Sequence, residues 1–146
     1  MSELNEKVEE PQEQAPDRAP MPDEELQKIL EAHRMWVESE GKEGEIARLY
    51  EANLQKAFLR GANLQGADLR WANLSRARMI QANLRGADLR NAINLTAPQV
   101  KPAENWELAL YSGDFLKILG LKPDHNETVE KRLAEFEKEK KATDAQ

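Results

Sequence analysis

Between residues 47 and 91, alanine and a large apolar residue recur with a strict period of five. The sequence reads as nine units: ARLYE, ANLQK, AFLRG, ANLQG, ADLRW, ANLSR, ARMIQ, ANLRG and ADLRN. Every unit opens with alanine, and the third place is leucine in all but one, which has Met79. A period of five fits neither the 3.6-residue period of a helix nor the alternation of a half-buried strand. It indicates a repeat architecture in which each unit packs against its neighbours.

The segment before the repeats has apolar residues at helical spacing. They predict a helix from about Asp23 to Glu40, which Pro22 favours at its start and Gly41 stops. One face of this helix carries an apolar stripe made of Leu26, Ile29, Leu30, His33, Trp36 and Val37. Because the open end of a repeat array exposes apolar interior and unpaired backbone, we expect this stripe to cover the first repeats.

The segment after the repeats predicts a second cap. Asn94 stands where a further unit needs a buried residue, so either the array stops there or Leu95 turns inward. Thr96 then suits the N-cap of a short helical turn. The apolar stretch NWELALYSGDFLKILGL predicts a short helix over residues 113–120, and a further helix is predicted over 126–141. The last helix has a narrow apolar side, so part of it is expected to stand away from the fold. That side consists of Val129, Leu133 and Phe136.

The pattern A-(N/D)-L-x-x resembles that of the pentapeptide-repeat family. The resemblance implies a right-handed quadrilateral β-helix, in which one unit forms one side of a square and four units form one coil. The predicted fold is therefore an all-β solenoid of about two coils with α-helical N- and C-terminal caps. By the same resemblance, the alanine and the central residue of each unit point inward. The predicted solenoid core is Leu49, Leu54, Leu59, Leu64, Leu69, Leu74, Met79, Leu84 and Leu89.

These elements divide the chain into five segments. The first and last are predicted to be disordered, because they are highly charged and nearly free of large apolar residues. The segments are a disordered acidic tail at 1–21, a capping helix and lead-in at 22–46, the β-helix at 47–95, a helical cap at 96–141 and a disordered tail at 142–146.

Charge is unevenly placed along the chain. Residues 1–46 hold 14 acidic and 5 basic side chains, whereas residues 47–92 hold 8 basic and 3 acidic ones. The repeats are therefore a basic region between acidic flanks, in a chain whose formal net charge is −6.

Residues that suggest catalysis or metal binding are few. His33 lies on the apolar stripe, where a packing role is expected, and His125 stands in a loop at a helix start. Asp68 and Asp88, one coil apart, are the single pair of carboxylates spaced as in a glycosidase, but the predicted fold places them on a convex wall without a cleft. Glycines 61, 66 and 86 occupy repeat corners and match no phosphate-binding loop. We therefore expect no enzyme activity, metal, cofactor or small-molecule substrate.

The cellular location of the chain is predicted from features that its sequence lacks. It has no cysteine, no apolar leader and no apolar run of the roughly 18 residues that a membrane span needs. These features favour the cytoplasm and no membrane insertion.

One predicted side of the solenoid has the composition of an interface. Its outward residues are Phe58, Arg60, Arg78 and Ile80, and Trp71 stands at an outward corner. Either a terminal segment of the same chain covers this side, or a partner protein or a second copy docks there. A protein-interaction module is accordingly the favoured function.

Two other functions are open to the predicted fold. The arginine-rich walls suit nucleic-acid phosphates, but the acidic flanks, the negative net charge and the lack of a known reading module oppose this. The resemblance also brings in family members that mimic DNA and bind topoisomerases. Two coils rise only about 10 Å, against about 34 Å for one turn of duplex, and the predicted solenoid is basic rather than acidic.

Overall fold

The computed structural model describes residues 19–144, and its regular elements are helices. They are α1 (Asp23–Glu38), α2 (Ala97–Val100), a 3₁₀ turn (Trp106–Leu108), α3 (Gly113–Leu119) and α4 (His125–Asp144). The disorder predicted for 1–18 and 145–146 lies outside the described residues. The predicted tails are shorter than expected where they are described. Met21 donates its N–H to the carbonyl of Asn53 at 2.9 Å, and α4 extends to Asp144.

The repeats are joined by isolated parallel bridges rather than by regular strands. Between residues 19 and 144 no strand is formed, so the prediction of an all-β class is met only in part. Each bridge within the repeats joins a second-place residue to the residue 20 positions later. These bridges are Arg48–Asp68, Asn53–Asn73, Phe58–Arg78, Asn63–Asn83 and Asp68–Asp88. The backbone thus has four bridge positions in every 20 residues, and we call one such 20-residue turn a coil.

Each place of the repeat has its own backbone role. In most units the second place is Asn or Asp, and its side chain accepts the N–H two residues later, as Asn63 does from Gln65 at 3.0 Å. The fifth place adopts positive φ in all nine units, although only three of these residues are glycine. The nine fifth-place residues are Glu51, Lys56, Gly61, Gly66, Trp71, Arg76, Gln81, Gly86 and Asn91.

The core lies inside the coils. The nine central residues, from Leu49 to Leu89, expose no more than 2% of their surface. The alanines that open the units are buried or half-buried beside them, because a larger side chain there would meet the adjacent coil.

Helix α1 covers the first coil, and His33 fixes it there. The Nδ1 atom of His33 accepts the N–H of Ala47 at 2.9 Å, and Nε2 bonds the carbonyl oxygen of Gln65 at 2.8 Å. These two backbone groups stand at the start and the end of the first coil. The packing role predicted for His33 is confirmed, and its ring also stacks on Trp36 at 5.7 Å.

The stacking register continues beyond the repeats. Ile93 bridges Asn73, while Asn94 is exposed and Leu95 is half-buried against the core. Glu104 then bridges Asn83, and Leu110 bridges Asp88. A third coil therefore begins with unit 87–91 and continues irregularly through residues 93–112, which lack the repeat pattern. Hydrogen bonding crosses the boundary that the sequence placed at residue 95.

Helices interrupt this third coil, and amide side chains hydrogen-bond to backbone groups of the stacked coils. The Nε2 of Gln99, in α2, donates to the carbonyl oxygens of Leu74 at 2.7 Å and Ala77 at 3.0 Å. Further along, the amide of Asn126 bonds both the N–H and the carbonyl of Tyr111, at 3.1 and 2.8 Å. An amide side chain thus replaces the peptide group that a further coil would have supplied.

Helix α4 folds back along the coils toward α1, against the expectation that part of it stands away. A Cβ on Gly86 would lie 3.4 Å from the Cδ1 of Leu133, so α4 packs closely on the second coil. Lys140, near the end of α4, pairs with Glu40 at 2.6 Å, just beyond α1.

Candidate interaction surface

Four residues from adjacent coils form a single outward patch. Phe58 and Arg60 belong to the first coil, and Arg78 and Ile80 lie above them in the second. The backbones of Phe58 and Arg78 bridge directly, and the guanidinium carbon of Arg78 lies 5.1 Å from the centre of the Phe58 ring. We call these four residues the aromatic–arginine wall.

The apolar members of this wall are open to solvent. Phe58 exposes 56% of its surface and Ile80 exposes 47%. No segment between residues 19 and 144 covers them, so the described termini do not act as a lid here. Exposed apolar side chains beside arginine are characteristic of protein–protein interfaces.

The two arginines of the wall differ from Arg70 and Arg90, which have the same kind of side chain on other sides of the coils, in having no acidic partner between residues 19 and 144. Neither Arg60 nor Arg78 forms an ion pair with a carboxylate in the part of the chain that the structure describes. Two arginines elsewhere on the coils are paired with aspartate. Arg70 contacts both carboxylate oxygens of Asp68 at 2.9 Å, and Arg90 contacts those of Asp88 at 2.8 and 2.6 Å. Among the described residues, the wall therefore carries uncompensated positive charge.

The two carboxylates that resemble a catalytic pair are engaged by arginine. Arg90 binds Asp88 at 2.8 and 2.6 Å, and Arg70 also reaches Asp88 at 3.8 Å. The hydrogen bond from Arg70 lowers the pKa of the Asp68 carboxyl below its ordinary 3.8. A carboxyl held ionised in this way is a poor general acid, so this pair stabilises the coil surface instead.

A groove of 310 Å³ runs beside the wall and joins it to α1. Phe58 and Arg60 lie on one side, and Leu30 and Arg34 of α1 lie on the other. Arg34 is held by Glu31 and Glu38 within its own helix. The lining of the groove is mixed, since Gln27, Glu31 and Asn63 also contribute to it, and the described part of α1 adds no unpaired cation.

Trp71 stands apart from the wall. It is the last residue of unit 67–71, and unit 72–76 separates it along the chain from the unit that holds Arg78. Its side chain is half-buried, and no ring contact joins it to Phe58 among the described residues. We therefore leave Trp71 out of the wall.

Sequence reasoning missed a second exposed aromatic residue. Tyr50 exposes 47% of its surface and lies under Arg70, whose guanidinium carbon is 5.2 Å from the ring centre. The signal was present in the sequence, because Tyr50 and Arg70 are 20 positions apart in the fourth place of their units. Here, however, Asp68 forms an ion pair with Arg70 and balances the charge of the guanidinium.

The remaining candidate groups are structural. The Nε2 of His125 bonds the carbonyl of Ala109 at 2.9 Å. Between residues 19 and 144 no group of three His, Cys, Asp or Glu side chains is arranged to hold a metal. A groove of 550 Å³ lies between α4 and the coils, and inside it Arg85 stacks on Phe136 at 4.8 Å. The groove belongs to the contact of α4 with the repeats.

The repeats also match a known family. Residues 47–80 and 67–95 match the family model for pentapeptide repeats, with eight copies. No curated protein and no solved structure matches the chain significantly. None of the helices in the described region is both long and apolar enough to cross a membrane. The match covers the coils that carry the wall and does not extend over the helical flanks.

Proposed function

We propose that this chain, a pentapeptide-repeat protein, is a non-enzymatic scaffold whose aromatic–arginine wall docks onto another protein. The observation that carries the proposal is Phe58, which is 56% exposed and stacked with Arg78. Beside it stands Arg60, which has no acidic partner among the described residues. An exposed aromatic side chain with adjacent arginine is the usual composition of a binding hot spot.

The backbone beneath the wall supports this role because it is rigidly bonded. Leu59 donates to the carbonyl of Arg78 at 2.8 Å, and Gly61 donates to that of Ile80 at 3.0 Å. Residues held by such a ladder lose little conformational entropy on binding, which favours affinity from a small contact area.

We propose the finer fold from the same register. Four bridge positions in every 20 residues, together with the family match at 47–95, support a right-handed quadrilateral β-helix with helical caps. On this proposal the wall is one flat side of the helix. The cytoplasm is the proposed location, because a chain without cysteine makes no use of an oxidising compartment.

Nucleic-acid binding is the weaker alternative. Arg70 and Arg90 are already neutralised by Asp68 and Asp88, which leaves fewer cations for phosphates than the sequence indicates. The DNA-mimic function is weaker again, since it requires an acidic rod of greater length.

The proposal is tested by affinity capture from a native cytoplasmic extract. The full chain serves as bait beside a Phe58→Ser/Ile80→Ser variant and a matched Tyr50→Ser control. Tyr50 is also 47% exposed and stacked with arginine, but it lies on another column of the repeats. We expect a protein that is captured by the wild type and the control, and lost with the wall variant.

The same capture separates the alternatives. Each bait is washed at low and moderate salt, with and without nuclease. A protein retained equally by all three baits contradicts the docking role of the wall. Material that nuclease removes, and that moderate salt releases whatever the state of Phe58, identifies nucleic acid as the partner instead.

A further inference from the structure

Two units of the repeat carry an internal carboxylate that the wall lacks. In units ADLRW and ADLRN, the second-place Asp binds the fourth-place Arg of the same unit with both oxygens. In unit AFLRG, Phe58 occupies the place of that Asp, so Arg60 keeps its guanidinium and loses its internal partner. The backbone position is the same, since both residues bridge to the next coil.

In the unit stacked above, the order of the apolar residue and the arginine is reversed. In ARMIQ, Arg78 occupies the second place and Ile80 the fourth. Phe58 and Arg60 thus lie below Arg78 and Ile80, so that the apolar residues share one diagonal and the cations share the other. Adjacent coils lie about 4.8 Å apart, and alternate residues on extended backbone about 6.6 Å, so the four side chains form a small chequered grid.

We infer that the aromatic–arginine wall binds an extended acidic segment of a partner protein, an inference that rests on the docking role proposed above. The segment's carboxylates pair with Arg60 and Arg78, neither of which has an acidic partner among the described residues. Its apolar side chains rest on Phe58 and Ile80. An extended chain presents alternate residues to one side, which matches the alternation of apolar and cationic residues along each row of the grid.

Charge and shape favour this occupant over others. A second copy that presents the same wall would bring arginine toward arginine, which is repulsive. A nucleic acid would satisfy the arginines, but the duplex backbone offers no apolar group to Phe58 and Ile80. In an acidic segment with interspersed apolar residues, the apolar side chains pack on Phe58 and Ile80 and the carboxylates pair with the two arginines. Carboxylates bind arginine with directional hydrogen bonds.

The test is a direct titration of the purified full chain with labelled peptides. The probe is a peptide that repeats Leu-Ser-Glu-Ser, which in extended form presents Leu and Glu to one side. Two matched peptides carry Gln or Lys in place of Glu, and a single-stranded oligonucleotide serves as a further ligand. We expect the Glu peptide to bind at least about tenfold more tightly than the Gln peptide at low salt, and the preference to shrink as salt rises.

Variants locate the site. Arg60→Ala/Arg78→Ala is expected to weaken the Glu peptide about tenfold or more, and to leave the Gln peptide unchanged. The matched control is Arg48→Ala, an exposed second-place arginine two units before Phe58, which is expected to change affinity less than about twofold. Thermal unfolding of each variant establishes that the coils are intact.

The outcomes distinguish this inference from the docking role. Equal binding of the Glu and Gln peptides, or preference for the oligonucleotide, overturns the acidic-segment inference. Wall-dependent capture of a protein whose binding region has no acidic segment overturns it as well, while the docking role stands. Concentration-dependent dimerisation that Phe58→Ser abolishes would assign the wall to a second copy and overturn the inference.

Discussion

The backbone N–H of Ala47 donates a hydrogen bond to Nδ1 of His33 at 2.9 Å. An imidazole nitrogen accepts a hydrogen bond only when it carries no proton, so His33 is neutral in the fold and its proton resides on Nε2. That proton is donated to the carbonyl of Gln65 at 2.8 Å. Protonation of the ring would therefore break the bond that ties α1 to the start of the first coil.

We predict that the protein loses stability on mild acidification through His33. Burial lowers the pKa of this histidine below its ordinary 6.5, so the unfolded chain binds the proton more readily than the folded one. The contribution of the neutral ring is complete above pH 6.5 and is lost as the pH falls through the folded pKa. Thermal unfolding measured from pH 7.5 to pH 5 should show a falling midpoint.

The control for this prediction is His33→Gln. Glutamine offers one acceptor and one donor and does not titrate, so it should reduce the fall in midpoint over the same range. Asp68 does not contribute to the fall in midpoint, because its pKa is lowered below 3.8 and its carboxyl stays ionised over the measured range. An unchanged pH profile in the variant would show that His33 is not the group responsible. His33→Ala should cost about 2–4 kcal/mol, because two backbone groups lose their partner.

We predict that Asn126→Ala destabilises the C-terminal cap. The side-chain amide bonds both backbone groups of Tyr111, which is buried, and alanine leaves both without a partner. The expected loss in the free energy of unfolding is about 1–3 kcal/mol. The control is Thr128→Ala, an exposed position on the same helix that should change it by less than about 0.5 kcal/mol. Equal effects of the two substitutions would contradict the role given to Asn126.

We predict different costs for alanine at two corner glycines. Gly61 has φ +70 and open space where a Cβ would lie, so Gly61→Ala should cost about 1–2 kcal/mol from backbone strain alone. Gly86 has the same φ, but a Cβ there would also meet Leu133, so Gly86→Ala should cost more.

Gly113→Ala provides the reference for both glycines. Gly113 has no positive φ, and no atom lies within 4 Å of the position that an added methyl group would take. It also begins α3, so its replacement by alanine should be nearly neutral. Denaturant unfolding of the three variants measures the order. A Gly86→Ala variant as stable as Gly61→Ala would mean that α4 does not press on the second coil.

We predict that one apolar-to-aspartate change unfolds the protein and that a second one does not. Leu69 has no exposed surface, so Leu69→Asp places a charge inside the coils and should cost more than about 4 kcal/mol. Ile80 is 47% exposed on the wall, so Ile80→Asp should leave the unfolding midpoint nearly unchanged. Circular dichroism melting curves check both. A stable Leu69→Asp variant would show that the repeat register is wrong.

The sequence predicted the parts of the fold that periodicity controls. A period of five with a central apolar place identified the residues that are buried, from Leu49 to Leu89, because their spacing decides which side chains share the interior. Helix signals located α1 and α3 to within a few residues, and Gly120 does end α3 with positive φ. The composition of Phe58, Arg78 and Ile80 indicated the wall for the same reason, since stacking follows from spacing.

The remainder depends on contacts that no local pattern encodes. Residues 93–112 continue the stacking although they lack the repeat, because Gln99 and the backbone of Glu104 and Leu110 meet the edge of the last repeat units. The narrow apolar side of α4 suggested a loose helix. Gly86 makes room for Leu133, and this gap is visible only once both are placed. The charge of Arg60 likewise became informative only through its contrast with Arg70 and Arg90, which are paired with aspartate.

Helix α4 begins beside the third coil, passes the second at Gly86 and, near its end, pairs through Lys140 with Glu40, next to the helix that covers the first coil. The length of α4 therefore has to match the height of the stacked coils. A duplicated block of 20 residues would raise the stack by about 4.8 Å, or roughly three residues of helix at 1.5 Å each. Lys140 would then stop about 4.8 Å short of Glu40. Since three residues fall short of a full helical turn, the residue three positions later would face another direction and could not replace it. Lineages of this protein are thus expected to tolerate substitutions on the coils far more readily than changes in their number.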